Sequence, residues 1–206
     1  MADIIITGKE EIFQLRPLKE EDISYTLDAC DKFVGKNLYT KKDLEEAISD
    51  GNRYFWILET SKGEFAGYIY YYLTDVESIA KDAKLSTDAI TKVCGKSKAI
   101  IGKIQSSAVV EKFRGAELAF SLITYATEQL CKLNADYVFI ICWKKGEKVP
   151  LAKSCIKCGY KFLTESKNVW YDIENMICPY CKGRCRCSAH IYYRNLKGEN
   201  ILEKEN

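Results

Sequence analysis

Four cysteines and the only histidine of the chain lie within thirteen residues near its C-terminal end, in the segment CPYCKGRCRCSAH over 178–190. Thiolate and imidazole are ligands that Zn²⁺ prefers, and it takes four of them in a tetrahedron. This spacing predicts one zinc ion in a hairpin over residues 176–190. The predicted ligands are Cys178, Cys181, Cys185 and Cys187. Because four protein ligands leave no open position for a substrate, this zinc would be structural.

Two other ligand sets fit the same residue types. In the first, His190 replaces one of the four cysteines. In the second, Cys155 and Cys158 join Cys178 and Cys181, because two C-x2-C pairs at this separation are typical of a zinc ribbon. The local set is favoured because its members are close in sequence and because it accounts for the remaining cysteines.

A second candidate site is a turn between a predicted strand over 100–110 and a long amphipathic helix over 118–133. The first amide groups of a helix have no intrahelical partner, and the helix dipole is positive at that end. Such an N-terminus is a ready site for a diphosphate group. Arg114, in the turn, can add a charge-assisted contact.

The elements that must position these residues follow from periodicity and turn signals. Strands are predicted over 13–18, 54–59, 65–73, 100–110, 137–143, as a pair within 160–173, and over 191–193. Helices are predicted over about 20–30, 41–48, 77–95, 118–133 and 149–157. Hairpins and crossover helices alternate in this order, which predicts an α+β fold with a mixed sheet. The sequence shows no linker, so we expect a single domain over residues 1–206.

Composition narrows the class of partner. The chain has 31 basic and 29 acidic residues and a net charge of +2, which does not favour nucleic acid as the main partner. Its first residues lack the charged region of a signal peptide, and no stretch approaches the ~20 apolar residues of a membrane span. We therefore expect a cytoplasmic protein without a membrane contact, in which clustered cysteines bind metal rather than form disulfides.

The element order and several short segments resemble the GNAT acetyltransferase superfamily over nearly all of residues 12–195. The segments are Leu15-Arg16-Pro17 with Glu21-Asp22, the stretch VVEKFRG over 109–115, the long helix that follows, and Lys157-Cys158-Gly159-Tyr160. The resemblance implies a mixed, mostly antiparallel central sheet flanked by helices, with the zinc hairpin as an addition before the last strand. It also implies an N-acetyltransferase in which an amine attacks acetyl-CoA directly.

The resemblance further implies which residues bind the cofactor. In the family, the strand before the turn separates from its neighbour and its backbone binds the pantetheine arm, which here is at Val109 and Val110. The diphosphate would lie on the turn and helix start, at Arg114, Gly115, Ala116, Glu117, Leu118 and Ala119. The Val110 N–H is the expected donor to the thioester oxygen. Glu111 is the candidate base for the amine proton, and a surface turn residue is the alternative.

Two positions depart from the family pattern. Glu117 stands where the family has a glycine, and its carboxylate would repel a diphosphate unless it points away. Cys155 stands where the family often has a tyrosine that protonates the departing thiolate. With an ordinary pKa of about 8.5, a free thiol could donate that proton, so Cys155 is the candidate general acid. The alternative for Cys155 is a buried structural cysteine.

These departures leave a second hypothesis open. In it, the chain is a catalytically decayed acetyltransferase-like scaffold, and its zinc element binds a protein or a nucleic acid. Lys182, Arg184 and Arg186 would then form a small basic patch on the hairpin. In the enzyme hypothesis, the partner is a small-molecule or peptide amine. The sequence indicates neither the identity of that amine nor the oligomeric state.

Overall fold

One sheet of eight strands runs through residues 4–7 and 11–197, the residues that this computed structural model describes. The strands are β1 (Ile4–Thr7), β2 (Ile12–Pro17), β3 (Arg53–Thr60), β4 (Phe65–Thr74), β5 (Ile101–Val109), β6 (Tyr137–Trp143), β7 (Lys161–Ser166) and β8 (Ala189–Asn195). Their order in the sheet is β1-β2-β3-β4-β5-β6-β8-β7. Only β5 and β6 are parallel neighbours, so the predicted mixed, mostly antiparallel sheet is confirmed.

Helices cover both faces of this sheet. They are α1 (Ile23–Phe33), α2 (Lys41–Ser49), α3 (Val76–Ala83), α4 (Thr87–Cys94), α5 (Leu118–Lys132) and α6 (Ala152–Lys157). The apolar side chains of α5 and α6 pack on one face, and those of α1 to α4 pack on the other. The class is therefore α+β, as the order of elements predicts. That the whole of residues 1–206 forms one domain stays a prediction.

Three elements differ from their predicted form. The helix predicted over 77–95 is two helices, because Lys84 takes a left-handed conformation (φ 52°) and Ser86 caps a new helix start. The strand pair predicted within 160–173 is the single strand β7. Trp170 lies beyond it in a turn and packs against Trp143, at 5.4 Å between ring centroids. Strand β1 at the sheet edge was not predicted.

A bulge separates β5 from β6 halfway along their length. The two strands pair from Ile101 opposite Tyr137 only as far as Ile104 opposite Ile140. The next residue, Gln105, is the extra one in the ladder between β4 and β5, where Tyr70 pairs with Ser106 and Tyr71 pairs with Ile104. A bulge of this kind bends the strand that carries it. Beyond it, β5 stays with β4 while β6 stays with β8, and a gap opens between them.

The cysteine-rich segment lies between β7 and β8, where the sequence predicts it. Its first residues pair with the connection between α1 and α2. The Lys36 and Ile177 backbones exchange two hydrogen bonds of 3.1 and 2.9 Å. The side-chain Nδ2 of Asn37 donates to the Asn175 backbone carbonyl at 3.1 Å. The segment is thereby joined to the helical layer as well as to the sheet.

The start of α1 is held to the sheet by a nearly buried carboxylate. Arg16 donates two hydrogen bonds to Asp22, of 2.6 and 3.0 Å, and one to Glu59 at 3.0 Å. The Asp22 side chain is only 3% exposed, and Tyr25 also donates to it. Burial raises the pKa of Asp22, but the hydrogen bonds from Arg16 and Tyr25 outweigh burial and hold that pKa below its usual value.

We expect Asp22→Asn to destabilise the fold by about 3 kcal/mol at neutral pH, because it removes the charge that compensates a partly buried guanidinium. Urea unfolding curves give this difference. The native pKa of Asp22 lies below its unfolded value of about 3.9, so the carboxylate stabilises the fold above that pH and the stabilisation is lost as pH falls. The difference in free energy of unfolding between wild type and Asp22→Asn should therefore become smaller below about pH 4.

The exposed Asp28 of α1 provides a matched control, since Asp28→Asn removes the same charge from the same helix. Its free energy of unfolding should stay within about 0.5 kcal/mol of wild type. Equal effects of the two substitutions would contradict the role given to Asp22.

Candidate functional site

The backbone of β5 points hydrogen-bonding groups into the gap. The Val110 N–H donates to the Ala66 carbonyl of β4 at 2.9 Å. Because N–H and C=O groups alternate in direction along an antiparallel strand, those of Val109 and Ser107 point away from β4 and toward the gap. This pairing does not favour the Val110 N–H as donor to the thioester oxygen, because that amide belongs to the ladder with β4, and its role stays a prediction.

Two residues of the turn after β5 have a left-handed backbone. Gly115 has φ 86° and Glu117 has φ 57°, both in the region that glycine adopts without strain. Glu117 is the residue that stands where the pattern of the resembling family has a glycine. The turn therefore has, at Glu117, a backbone conformation that favours glycine.

The Glu117 carboxylate is paired with a cation. Both of its oxygens accept hydrogen bonds from Lys157 Nζ, at 2.7 and 2.8 Å, and Lys157 lies at the end of α6. The same ammonium group lies 4.2 Å from the ring centroid of Phe120. This pairing places a positive charge beside the carboxylate and so offsets the repulsion that the sequence predicts between Glu117 and a diphosphate.

The first turn of α5 presents amide groups at the end of the gap. Helices α2, α3 and α4 each begin with a side-chain cap, supplied by Thr40, Asp75 and Ser86. No side chain caps α5 within the part of the chain that the structure describes. Because the first amides of a helix lack intrahelical partners, those from Leu118 onward remain available as donors.

Arg114 lies at the same turn and is exposed. Its Nε donates to the Val109 carbonyl at 3.1 Å, and its guanidinium lies 5.9 Å from the ring centroid of Phe33. The side chain therefore lies across the outer end of the gap. Arg114, Gly115 and the first amides of α5 thus bring a positive charge and several N–H donors together, a combination that suits a phosphate group.

A cavity of about 270 Å³ lies on the opposite face of the sheet, where the gap begins. Gln105 and Ile141, the first residues past the last β5–β6 pair, both line it. Lys103 and Trp170 form further parts of its wall. The α5 turn and this cavity thus lie at the two ends of one gap.

The sequence did not single out Gln105 or Ser107 as site residues. A bulge is defined by which residues pair across two strands, and neither residue type indicates one. The alternation of backbone groups likewise depends on the register between β4 and β5. The only signal in the sequence was the family resemblance, which implied a separated strand but placed the donor at Val110.

The two predicted catalytic residues do not meet at the gap. Cys155 is fully buried in the core, with its Sγ 3.7 Å from Cys142 Sγ. Glu111 is exposed in the turn, six residues after Gln105, which corresponds to about 20 Å along an extended strand. Their catalytic roles stay predictions, and these positions favour the structural alternative for Cys155 and the surface alternative for Glu111.

The predicted zinc ligands lie together. The sulfurs of Cys178, Cys181, Cys185 and Cys187 all lie within 4.8 Å of one another. The distance from Cys187 Sγ is 3.8 Å to Cys178 Sγ and 3.6 Å to Cys181 Sγ. Tetrahedral zinc with bonds of about 2.3 Å places its sulfurs about 3.8 Å apart. The four residues therefore fit zinc in both number and spacing.

Backbone amides support two of these sulfurs. The Cys181 N–H donates to Cys178 Sγ at 3.3 Å, and the Arg186 N–H donates to Cys181 Sγ at 3.4 Å. The Arg186 amide lowers the pKa of Cys181, whereas burial raises the pKa of Cys187 to about 11. A bound cation would favour the thiolate form of all four ligands.

The structure does not bring the members of the two alternative ligand sets together. His190 lies on β8 with its Nε2 3.4 Å from Glu165 Oε2, outside the four-sulfur cluster. Cys158 Sγ lies 3.4 Å from Thr124 Oγ1 of α5, and Cys155 is next to Cys142. Cys155 and Cys158 therefore belong to the α5–α6 core and not to a zinc ribbon.

No protein-family model matches the chain, and no curated protein matches it in sequence. Its fold is similar to many solved structures over almost the whole chain. Arabidopsis thaliana NAA60 in complex with acetyl-CoA has 12% identity and a TM-score of 0.66, with 90% of this chain and 99% of that one covered. An acetyltransferase of the GNAT family from Streptococcus pneumoniae has 10% identity and a TM-score of 0.59, with coverage of 89% and 99%.

A third similar structure is a polyamine N-acetyltransferase from Drosophila melanogaster. It has 14% identity and a TM-score of 0.59, and the match covers 89% of this chain and all of that one (100%). At such identities the similarity shows the fold. The chain therefore has the GNAT fold, as the resemblance implies.

We expect Cys155→Ala to lower stability by about 1–2 kcal/mol, because it removes a fully buried thiol from the core. Turnover in an acetyl-transfer assay should stay within about twofold of wild type, since the thiol is fully buried in the core. The half-buried Cys131 of α5 gives a control, Cys131→Ala, for general effects of losing a thiol. A fall in turnover of ~10²–10⁴-fold in Cys155→Ala alone would instead support the proton-donor role.

Proposed function

We propose that this protein is an N-acetyltransferase that uses acetyl-CoA as the acetyl donor. The observation that carries the proposal is the gap that begins at the Gln105 bulge and ends at the uncapped start of α5. In this proposal the diphosphate binds the amides over residues 115–119 and the guanidinium of Arg114. The pantetheine arm then lies along β5, where the Ser107 and Val109 backbones face the gap.

The proposed chemistry is direct attack of a neutral amine on the thioester carbonyl. Most of the rate would come from orientation in the gap and from backbone donors aimed at the oxygen that gains negative charge. The Ser107 and Val109 N–H groups take the place that the sequence assigned to Val110. The Val109 carbonyl, which now accepts from Arg114, becomes available to pantetheine when Arg114 turns toward the diphosphate.

The acceptor amine is proposed to enter from the cavity beside Gln105. That cavity lies on the face opposite α5, so the amine and the cofactor would approach the same point from opposite sides. Similar structures include a polyamine N-acetyltransferase and NAA60 in complex with a bisubstrate analogue. Their names support an amine as the acceptor, whether a small molecule or a peptide.

The second hypothesis, a decayed scaffold that binds protein or nucleic acid, has less support. Its main argument was the Glu117 carboxylate, and that group is paired with Lys157. Of the basic patch on the hairpin, Arg184 is used within the fold. Its Nε donates to the Tyr171 carbonyl at 2.6 Å, and its guanidinium lies 4.1 Å from that ring centroid.

We propose that the four-cysteine cluster binds one structural zinc ion. The ion would cross-link the four cysteines of a segment that forms only isolated backbone bridges, such as Cys178 with Gly183. Buried Met176, Cys178 and Cys185 pack against Trp143 and Trp170. Because Trp170 also lines the acceptor cavity, the cross-link would hold one wall of that cavity.

We also propose a cytoplasmic location, which the expected reduced state of the cysteines supports. Among the helices over residues 11–197, none has the length and apolar character needed to span a membrane.

The cofactor proposal predicts that the wild-type protein binds acetyl-CoA in isothermal titration calorimetry. Arg114→Ala should weaken binding by about 1–3 kcal/mol, because it removes a charge-assisted contact to the diphosphate. Glu117→Gly should bind at least as tightly as wild type, since it removes both a carboxylate and a strained left-handed residue from the turn.

Lys112→Ala is the matched control, because Lys112 belongs to the same turn but pairs with Glu64 outside it. Its affinity for acetyl-CoA should be close to that of wild type. Absence of acetyl-CoA binding by the wild type would refute the enzyme proposal.

The zinc proposal predicts about one equivalent of zinc in the purified protein by elemental analysis. Cys181→Ser should lose the metal and lower the unfolding temperature, because three ligands hold zinc poorly. Cys131→Ser should keep it, since Cys131 lies on α5, outside the cluster. A wild-type protein without metal, or a Cys181→Ser variant with a full equivalent, would count against the site.

A further inference from the structure

The walls of the acceptor cavity carry more positive than negative charge. Three lysines, Lys81, Lys84 and Lys103, line it together with two aspartates, Asp82 and Asp172. An amine must lose its proton before it attacks a thioester, so nearby lysines do not prevent acetyl transfer. They do determine what else an acceptor can carry, because a second positive charge on it would be repelled.

Both aspartates are already paired within the cavity wall. Lys103 Nζ lies 2.5 Å from Asp82 Oδ2, and Lys84 Nζ lies 2.6 Å from Asp172 Oδ2. The Lys103 side chain is 7% exposed, and its burial lowers the pKa of the ammonium group while Asp82 opposes that shift. These two pairs cancel in charge. Each carboxylate therefore already has a lysine as its cationic partner.

Lys81 is the cation left over. Within residues 11–197 its ammonium group forms no ion pair with a carboxylate, and it lies on α3 at the rim of the cavity. A second cavity of about 460 Å³ adjoins the first and shares Lys81 and Asp82 with it. The cations and anions of that second cavity also pair, since Arg53 Nε lies 3.2 Å from Asp50 Oδ2. Lys81 therefore stands unmatched between two cavities.

We infer that the acceptor is a small amine that also carries a carboxylate, which binds at Lys81 while the amine faces the gap at Gln105. This inference rests on the proposed acetyltransferase function. The cavity volume of about 270 Å³ suits a molecule of amino-acid size. The Tyr72 hydroxyl, which donates to Gln105 Oε1 at 3.2 Å, holds that amide at the inner end of the cavity.

The charges of the cavity disfavour a polyamine as the acceptor. A polyamine would bring a second ammonium group toward Lys81 and Lys84, where each aspartate already has a lysine partner. An amino acid or a similar zwitterion would instead complete the charge balance of the cavity. The expected preference is therefore for the acid over a neutral or cationic analogue of the same size.

The test uses the purified protein of residues 1–206 with acetyl-CoA and three kinds of acceptor. These are a panel of L-amino acids, the same amino acids as C-terminal amides, and agmatine. Release of the CoA thiol gives kcat/KM for each. We expect the acids to exceed the amides by at least about tenfold, the effect of one charge-assisted hydrogen bond. Agmatine should be the poorest acceptor.

The Lys81→Glu variant tests the assigned residue. The ratio of acid to amide should fall by about tenfold or more in this variant, because the carboxylate then faces a negative charge. Lys92→Glu on α4 makes the same charge change at an exposed position that does not line the cavity, and it should keep the wild-type ratio. An unchanged ratio in Lys81→Glu would overturn the inference.

Calorimetry with acetyl-CoA on the same samples distinguishes a failure of the inference on the acceptor from a failure of the proposed function. If acetyl-CoA binds but the acids are acetylated no better than the amides or agmatine, the inference on the acceptor is wrong while the proposed function stands. If acetyl-CoA does not bind to the wild type, the proposed function fails, and the inference that rests on it fails too.

Discussion

The fold depends on one constraint, which is that β5 cannot pair with both of its neighbours beyond the Gln105 bulge. The ladder with β4 has its extra residue at Gln105, and the parallel ladder with β6 ends at Ile104. Beyond that point, backbone groups of Ser107 and Val109 face a gap, where the Val109 carbonyl accepts a hydrogen bond from Arg114. Backbone groups outside a sheet ladder need another partner, so the groups that face the gap can bind a ligand. The turn and the start of α5 lie at one end of the gap, and the cavity beside Gln105 lies at the other.

The cysteine-rich segment packs against the residues beside this cavity. It contacts the α1–α2 connection through the backbone pair at Lys36 and Ile177, and it packs on Trp143 at the end of β6. The connection in turn reaches β5, where Tyr39 forms a 2.7 Å hydrogen bond with Ser106. A short segment with few apolar residues has little core of its own. The proposed zinc cross-link would replace that missing core and so fix the cavity walls.

Charge pairing explains how the chain tolerates its departures from the family pattern. A carboxylate in the proposed diphosphate turn is unfavourable by itself, but the Glu117 carboxylate has the Lys157 ammonium group against it. In the proposed acceptor cavity the two aspartates are likewise paired with Lys84 and Lys103. Within residues 11–197, Arg114 and Lys81 form no ion pair with a carboxylate, and both are proposed to bind an anionic group of a ligand.

Features that depend on neighbouring residues can be predicted from the sequence alone. Periodicity predicted most of the strands and helices along the chain and the α+β class. The spacing of four cysteines predicted a cluster that the fold does bring together, since residues this close in sequence can converge in one turn. The order of the strands in the sheet and the details of the site depend on tertiary packing. Burial of Cys155, the direction of the Val110 amide and the partner of Glu117 depend on register and packing between segments far apart in the chain. Such contacts cannot be predicted from the spacing of neighbouring residues, because the two partners come together only when the chain has folded.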